Sequence, residues 1–187
     1  MRVVFIGPPG CGKGTQAALL RERLGLACIS TGEALRAAIA SGTDAGRKAK
    51  PFLDAGKLVS DTIVNDIVAE WLGRPDAPSD FLLDGYPRTL AQAKTLDAIL
   101  RDRGKPLEAV IVFRIDDNVV VKRMLTRHRA DDTEETVRTR LRFYHEMERE
   151  LIGYYKKKRG LVHNIDADAA VEDVYMKVAS LLPPKED

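Results

Sequence analysis

Close to the N-terminus an apolar run, Val3 to Ile6, passes directly into Gly7-Pro-Pro-Gly-Cys-Gly-Lys-Gly-Thr15 and from there into the helical stretch Gln16 to Leu24. The middle piece fits Gly-x4-Gly-Lys, and strand, loop and helix in succession are the setting that gives this pattern physical meaning. Glycines let the backbone turn sharply and point successive N–H groups inward, the helix N-terminus adds partial positive charge, and Lys13 reaches outer phosphates. Such a loop holds a polyphosphate. An ordinary glycine-rich connection would match the bare pattern about one time in twenty in a chain of this length. Placement straight after a strand favours the phosphate-binding alternative. The usual rule puts Ser or Thr right after the lysine to bind magnesium, whereas Gly14 stands here and the hydroxyl is delayed to Thr15, so direct coordination of metal by the loop is not expected. Cys11 is expected to be a small filler that keeps the loop tight.

The same alternation continues along the chain. Apolar runs at Phe81 to Leu83 and Val110 to Phe113, with weaker ones at Ala27 to Ser30 and Leu161 to Ile165, are separated by helical periodicity. The helical stretches run roughly over 13–24, 31–41, 44–55, 60–73, 89–103, 117–127, 133–158 and 169–182. Buried parallel strands joined by crossover helices produce this order. The fold class is therefore α/β, with a five-stranded parallel sheet flanked by helices. A chain of 187 residues can bury a large share of its surface around one core and is too short for two ordinary domains plus a linker. Residues 1–187 are read as a single domain.

Composition narrows the partners. With 44% hydrophobic and 31% charged residues the chain matches soluble globular proteins, which rules out disorder and collagen-like structure. Thirty Lys and Arg against 28 Asp and Glu leave +2, little reason to expect nucleic acid or a membrane as partner. The charge is uneven: residues 122–159 hold twelve basic and seven acidic groups, so the rest hold eighteen and twenty-one. Two cysteines and three scattered histidines argue against a disulfide framework or a structural zinc. No stretch approaches a membrane span and the first apolar run is far shorter than that of a signal peptide, so a cytoplasmic location is expected.

Further motifs follow the loop in order: Thr31-Gly-Glu-Ala-Leu-Arg36, Asp54-Ala-Gly-Lys-Leu58, Asp84-Gly-Tyr-Pro-Arg-Thr89, Arg123-Met-Leu-Thr-Arg127, Arg129-Ala-Asp-Asp132, Arg138-Thr-Arg-Leu141 and Leu151-Ile-Gly-Tyr-Tyr155. Together they resemble the adenylate kinases over nearly the whole chain. The resemblance implies a phosphate-loop nucleoside monophosphate kinase fold with a short lid. It also implies reversible, Mg2+-dependent phosphoryl transfer from ATP to AMP giving two ADP, hence adenine nucleotide homeostasis and a place in nucleotide biosynthesis. ATP, AMP and ADP are then the partners of an expected monomer. Matching the motifs residue by residue assigns Gly10, Cys11, Gly12, Lys13, Gly14, Thr15, Arg123, Arg127 and Ala169 to ATP. Thr31, Arg36, Lys57, Leu58, Val59, Gly85, Arg88, Gln92, Arg129 and Arg140 go to AMP. Lys13, Arg88, Arg123, Arg129 and Arg140 are the expected catalytic cations, and Asp84, ending the strand Phe81-Leu-Leu-Asp84, is expected to hold the metal through water. Only four residues separate Arg127 from Asp132, so a short lid at about 128–132 and an AMP-binding region at about 30–60 are the expected moving parts.

The residues make physical sense of that activity. Phosphoryl transfer asks little covalent chemistry of a protein and much alignment and positive charge. Helical spacing separates surface ion pairs from free cations: Arg138 follows Glu134 and Glu135, and Arg142 precedes Glu146, so both are expected to form exposed pairs. Arg123 and Arg140 have no acid three or four residues away, and a phosphate is the sensible counterion. Ser30-Thr-Gly-Glu33 also fits a capping box, and Glu33 could pair with Arg36. Thr31 and Gln92 favour AMP, since related pyrimidine kinases tend to carry Ala and Asn there. Asp166-Ala-Asp168 lacks the glycine of the family, beside the loop around Ala169 that would read the ATP base. The rivals are a UMP or CMP kinase and, from another class, a nucleotide-sensing RNA-binding module using the basic segment.

Overall fold

A computed structural model describes residues 1–127, 129, 132–158 and 160–182. His128, Ala130 and Asp131, which belong to the expected lid, lie outside the described residues, as do Arg159 and 183–187. The strands are β1 (Arg2–Ile6), β2 (Ala27–Ser30), β3 (Phe81–Asp84), β4 (Ala109–Arg114) and β5 (Val162–Asp166). The helices are α1 (Lys13–Leu24), α2 (Thr31–Ala40), α3 (Asp44–Asp54), α4 (Asp61–Gly73), α5 (Leu90–Asp102), α6 (Asp117–Thr126), α7 (Glu134–Lys156) and α8 (Val171–Ser180). Each agrees with its sequence expectation to within two residues at either end. Among the described residues no helix is long and apolar enough to cross a membrane.

All five strands are parallel, in the order β2-β3-β1-β4-β5. The chain leaves β1 for the edge strand β2, returns to β3, then crosses to β4 and β5 on the other side. Strand order therefore reverses around β1, the place where open α/β sheets form a crevice at their carboxyl ends. Register does the rest. Asp84 is paired with Phe5 on one side and Ser30 on the other, so Gly7, Thr31 and Gly85 all leave the sheet along one edge.

Period-two alternation divides the core into two layers. Val4, Ile6, Leu83, Val110 and Val112 face one side, where they meet Val64, Val68 and Leu72 of α4, Leu96 and Leu100 of α5, and Leu151 and Tyr155 of α7. Val3, Phe5, Leu82, Ile111 and Phe113 face the other, against Leu20 of α1 and Val174 and Val178 of α8. Both faces of β1, β3 and β4 are covered, which is why these runs are apolar throughout and do not alternate with polar residues. The 23 residues of α7 reach roughly 35 Å at the usual rise. Its C-terminal half packs on the sheet, while Val137 and Leu141 near its start pack on Val120 and Met124 of α6.

Short polar residues stop and start the helices. Thr89 accepts from the Gln92 N–H, Asp116 from that of Asn118, and Thr133 with Thr136 makes a full capping box. Ser30 accepts from the Glu33 N–H at 3.4 Å, which is one half of the box expected there. Leu83 is fully buried in the central sheet. Leu83→Ala should lower unfolding stability by about 3 kcal/mol, within the roughly 2–5 kcal/mol seen for such truncations. Urea unfolding checks it.

Candidate active site

The loop from Gly7 to Gly12 joins β1 to α1, whose first residue is Lys13. Gly10 and Gly12 take φ values of +77° and +100°, conformations costly for a residue with a Cβ. At Gly10 there is also no room, because a Cβ would lie 2.5 Å from Cγ of the buried Met124. Loop and α6 are thus in direct contact; α6 carries Arg123, and Arg127 caps its C-terminus. Lys13 lies folded across the loop, its ammonium donating to the carbonyls of Gly7 at 2.7 Å and Pro8 at 2.8 Å and approaching the Cys11 sulfur at 3.4 Å. Cys11 is 2% exposed and packs beneath the loop, as a filler should.

Across from the loop, Asp84 ends β3 with a carboxylate oxygen that would lie 3.7 Å from a Cβ on Gly14. The next turn, Gly85 to Arg88, contains a cis Tyr86–Pro87 bond. The Gly85 carbonyl accepts both from the Thr31 hydroxyl at 3.0 Å and from Nε of Arg88 at 2.8 Å, tying α2 to this turn. Arg88 is reachable from the cleft yet ringed by protein. That burial pulls its pKa below the usual value; Asp84 opposes the shift, and Arg140 and Arg36 add to it. A guanidinium stays charged all the same. Burial is the larger cause of the shift, and the crowded positive charge that adds to it is what an anion would relieve.

One cleft of about 470 Å³ receives nearly all the expected groups. From the loop come Gly10, Gly12, Lys13, Gly14 and Thr15. From α2 and the segment after α3 come Thr31, Arg36, Lys57, Leu58 and Val59. Asp84, Gly85, Arg88 and Gln92 line it as well, together with Arg123, Arg127, Arg129 and Arg140. Cys11 and Ala169 do not line it. Ala169 packs with the core beneath α8, two residues beyond Ala167, whose carbonyl accepts from Arg123 at 3.1 Å.

The arginines without helical partners find acids from elsewhere in the fold. Arg123 reaches Asp168 at 3.2 Å. Arg140 donates to Asp132 at 3.0 Å and to the Leu53 carbonyl at 3.3 Å. Arg127 also pairs with Asp132, whose side chain is wholly inaccessible. The expectation of phosphate as the sole counterion is corrected accordingly, because spacing along one helix does not register carboxylates on neighbouring segments. Arg138 pairs with Glu134 as expected, while Arg142 lies over the Phe143 ring and not beside Glu146.

Two acids at this site escaped the sequence reasoning. Asp132 was visible only as one member of a doubled acid among arginines. Asp61, the first residue of α4, accepts from the Thr89 hydroxyl at 2.9 Å and from the Gln92 amide at 2.8 Å. An acid in the first turn of a helix reads from sequence as a partner for the helix dipole. Leu35, Leu53 and Val64 add apolar lining. A Cβ at residue 10 tests how tightly loop and α6 are joined. Gly10→Ala should destabilise the fold by about 1–3 kcal/mol through strain and overpacking, and should raise KM for the nucleotide bound at the loop; urea melts and initial rates measure the two.

Comparison with known proteins agrees with this arrangement. The adenylate kinase family model matches residues 5–160. An adenylate kinase of Rhodococcus erythropolis is 46% identical over 182 residues, covering 97% of this chain and 99% of its own. One from Corynebacterium glutamicum is 47% identical with the same coverage, and one from Thermobifida fusca is 45% identical over 186 residues, covering 97% and 98%. A phosphate loop, a crowded cationic cleft and this span of similarity place the chain in the adenylate kinase family.

Proposed function

We propose that the protein transfers the γ-phosphoryl group of ATP to AMP, reversibly and with magnesium, to give two ADP. The observation that carries this is the cleft that Lys13 and six arginines line together with Leu58, Val59 and Gln92. MgATP and AMP together bring roughly four negative charges, taking about two for each terminal phosphate and one for each inner phosphate of ATP and subtracting the metal's two. Two such nucleotides can meet end to end only where cations are already fixed.

In this reading the loop and Lys13 hold the outer phosphates of ATP, with Arg123 and Arg127 beside them. Arg36 and Arg88 hold the AMP phosphate. Arg129 and Arg140 bridge the two and follow the charge as it moves to the transferring group. Asp132 and Asp168 keep Arg140 and Arg123 in the cleft until phosphate oxygens take over. Among the described residues no three acids, histidines or cysteines form a metal cage. Asp84 with the hydroxyl of Thr15 nearby fits Mg2+, which prefers to keep several waters and lean on substrate phosphates. Bound there, the metal would neutralise phosphate charge and orient the oxygens. Closing of residues 30–60 and of the short lid about 128–132 keeps water from competing as acceptor. A cytoplasmic monomer is the working form proposed.

Thr31 and Gln92 favour AMP over pyrimidine monophosphates, because related pyrimidine kinases tend to carry Ala and Asn there and the Gln92 amide in the cleft lining can pair with the edge of adenine. At fixed MgATP, initial rates with AMP, CMP, UMP and GMP should show clear preference for AMP; preference for UMP or CMP would reject this acceptor. Arg88→Ala should lower turnover by two to three powers of ten, since a donor aimed at transferring charge is worth about 3 kcal/mol or more. A loss under tenfold would make Arg88 structural only. An RNA-binding role predicts tight salt-dependent binding with no turnover, and it leaves Asp84, Arg88 and Gln92 without a task.

A further inference from the structure

Gln92 is 2% exposed, yet its side chain lies on the wall of the cleft beside Val59 and Val64. A carboxamide in such a place has two orientations related by a half-turn, and they present opposite patterns: oxygen and NH2 exchange places. Which one a protein holds is decided by the neighbours of the amide. Here they are of opposite kinds. The Arg88 backbone N–H, which can only donate, meets Oε1 at 2.7 Å. The Asp61 carboxylate, which can only accept, meets Nε2 at 2.8 Å. In the flipped state the carbonyl oxygen would face the carboxylate and NH2 would face N–H, so both of these hydrogen bonds would be lost.

Asp61 is itself held. Its second oxygen accepts from the Thr89 hydroxyl at 2.9 Å, and Thr89 accepts from the Gln92 backbone N–H at 3.1 Å. The Tyr86 hydroxyl shares its one proton between Asn65 Oδ1 at 2.7 Å, one turn along α4 from Asp61, and the Gln92 carbonyl at 3.2 Å. The start of α4 and the first turn of α5 are thereby pinned together at both main chain and side chain of Gln92.

We propose that Asp61 is a positioning residue that sets which purine the acceptor site reads, by fixing the orientation of the Gln92 amide. The inference rests on the reading of this cleft as an AMP site and deepens it. With one N–H committed to Asp61 and one lone pair to Arg88, the amide keeps one N–H and one lone pair for a ligand. A 6-aminopurine matches them, since its exocyclic N–H donates to Oε1 and an adjacent ring nitrogen accepts from Nε2. A 6-oxopurine presents the reverse, an acceptor at position 6 beside a ring N–H, and needs the flipped amide. Asp61 therefore excludes the 6-oxo base without touching it, because the flipped state sets a half-buried carboxylate against a carbonyl oxygen.

Initial rates with AMP and with inosine monophosphate, at saturating MgATP, test this on the full-length protein. Asp61→Asn keeps the shape and lets residue 61 donate as well as accept. Its ratio of kcat/KM for AMP to that for inosine monophosphate should fall at least tenfold, through a higher KM for AMP with kcat changed less than threefold, and KM for MgATP should hold. In a Gln92→Ala background the same change should leave the ratio alone, because Asp61 then has no amide to orient. Asp61→Ala, read in the same way, serves if the Asn variant does not fold. An equal loss for both acceptors, an unchanged ratio, or a further fall of the ratio in the Gln92→Ala background would overturn the proposal. Failure of the unaltered protein to use AMP at all would instead remove the proposed function beneath it.

Discussion

Arg36, Arg88 and Arg140 gather at one cleft, where burial first and the two neighbouring guanidiniums second hold Arg88 below its ordinary pKa. A chain that gathers cations in this way must hold them against their own repulsion. The fold does so with backbone and with local acids. The Gly85 carbonyl takes Arg88, the Leu53 carbonyl and Asp132 take Arg140, and Asp168 with the Ala167 carbonyl takes Arg123. Paired charges of this kind add little net stability once their desolvation is counted. Their value is positional: each guanidinium is already at the cleft when an anion enters, so less ordering is needed at the moment of binding.

That positional accuracy depends on a stiff base. The three central strands are covered on both faces, and the phosphate loop, Thr31 and Gly85 leave the same edge because β1, β2 and β3 are in one register at Asp84. Packing then carries rigidity outward. Met124 against Gly10 joins α6 to the loop, and Val137 and Leu141 join α7 to α6. Close-packed contacts of this sort transmit displacement over short distances. The arginines of α6 and α7 therefore move with the loop that they face.

Much of this could be read along the chain. Strand and helix periods located the elements, because burial on both faces or on one stripe imposes its own spacing. The loop announced itself through Gly7, Gly12 and Lys13, whose roles are local to a single turn. Arg138 could be assigned a surface pair since its partner sits one helical turn away. The partners of Arg123 and Arg140 could not, for Asp168 and Asp132 come from other segments. Asp61 was illegible for the same reason: its task is defined by Thr89 and Gln92, which lie 28 and 31 residues further on.

The amino-acid sequence by itself determined the α/β class, the phosphate loop and the supply of cations, because these follow from short-range periodicity, backbone conformation and residue type. Only the tertiary structure decided which acids restrain which arginines, that Ala169 stands back from the cleft, and that the Gln92 amide is clamped between an acceptor and a donor. Those are matters of distance between segments remote along the chain. Hydrogen bonds and ion pairs act over a few ångströms, so they exist as constraints only after the sheet has brought the segments together.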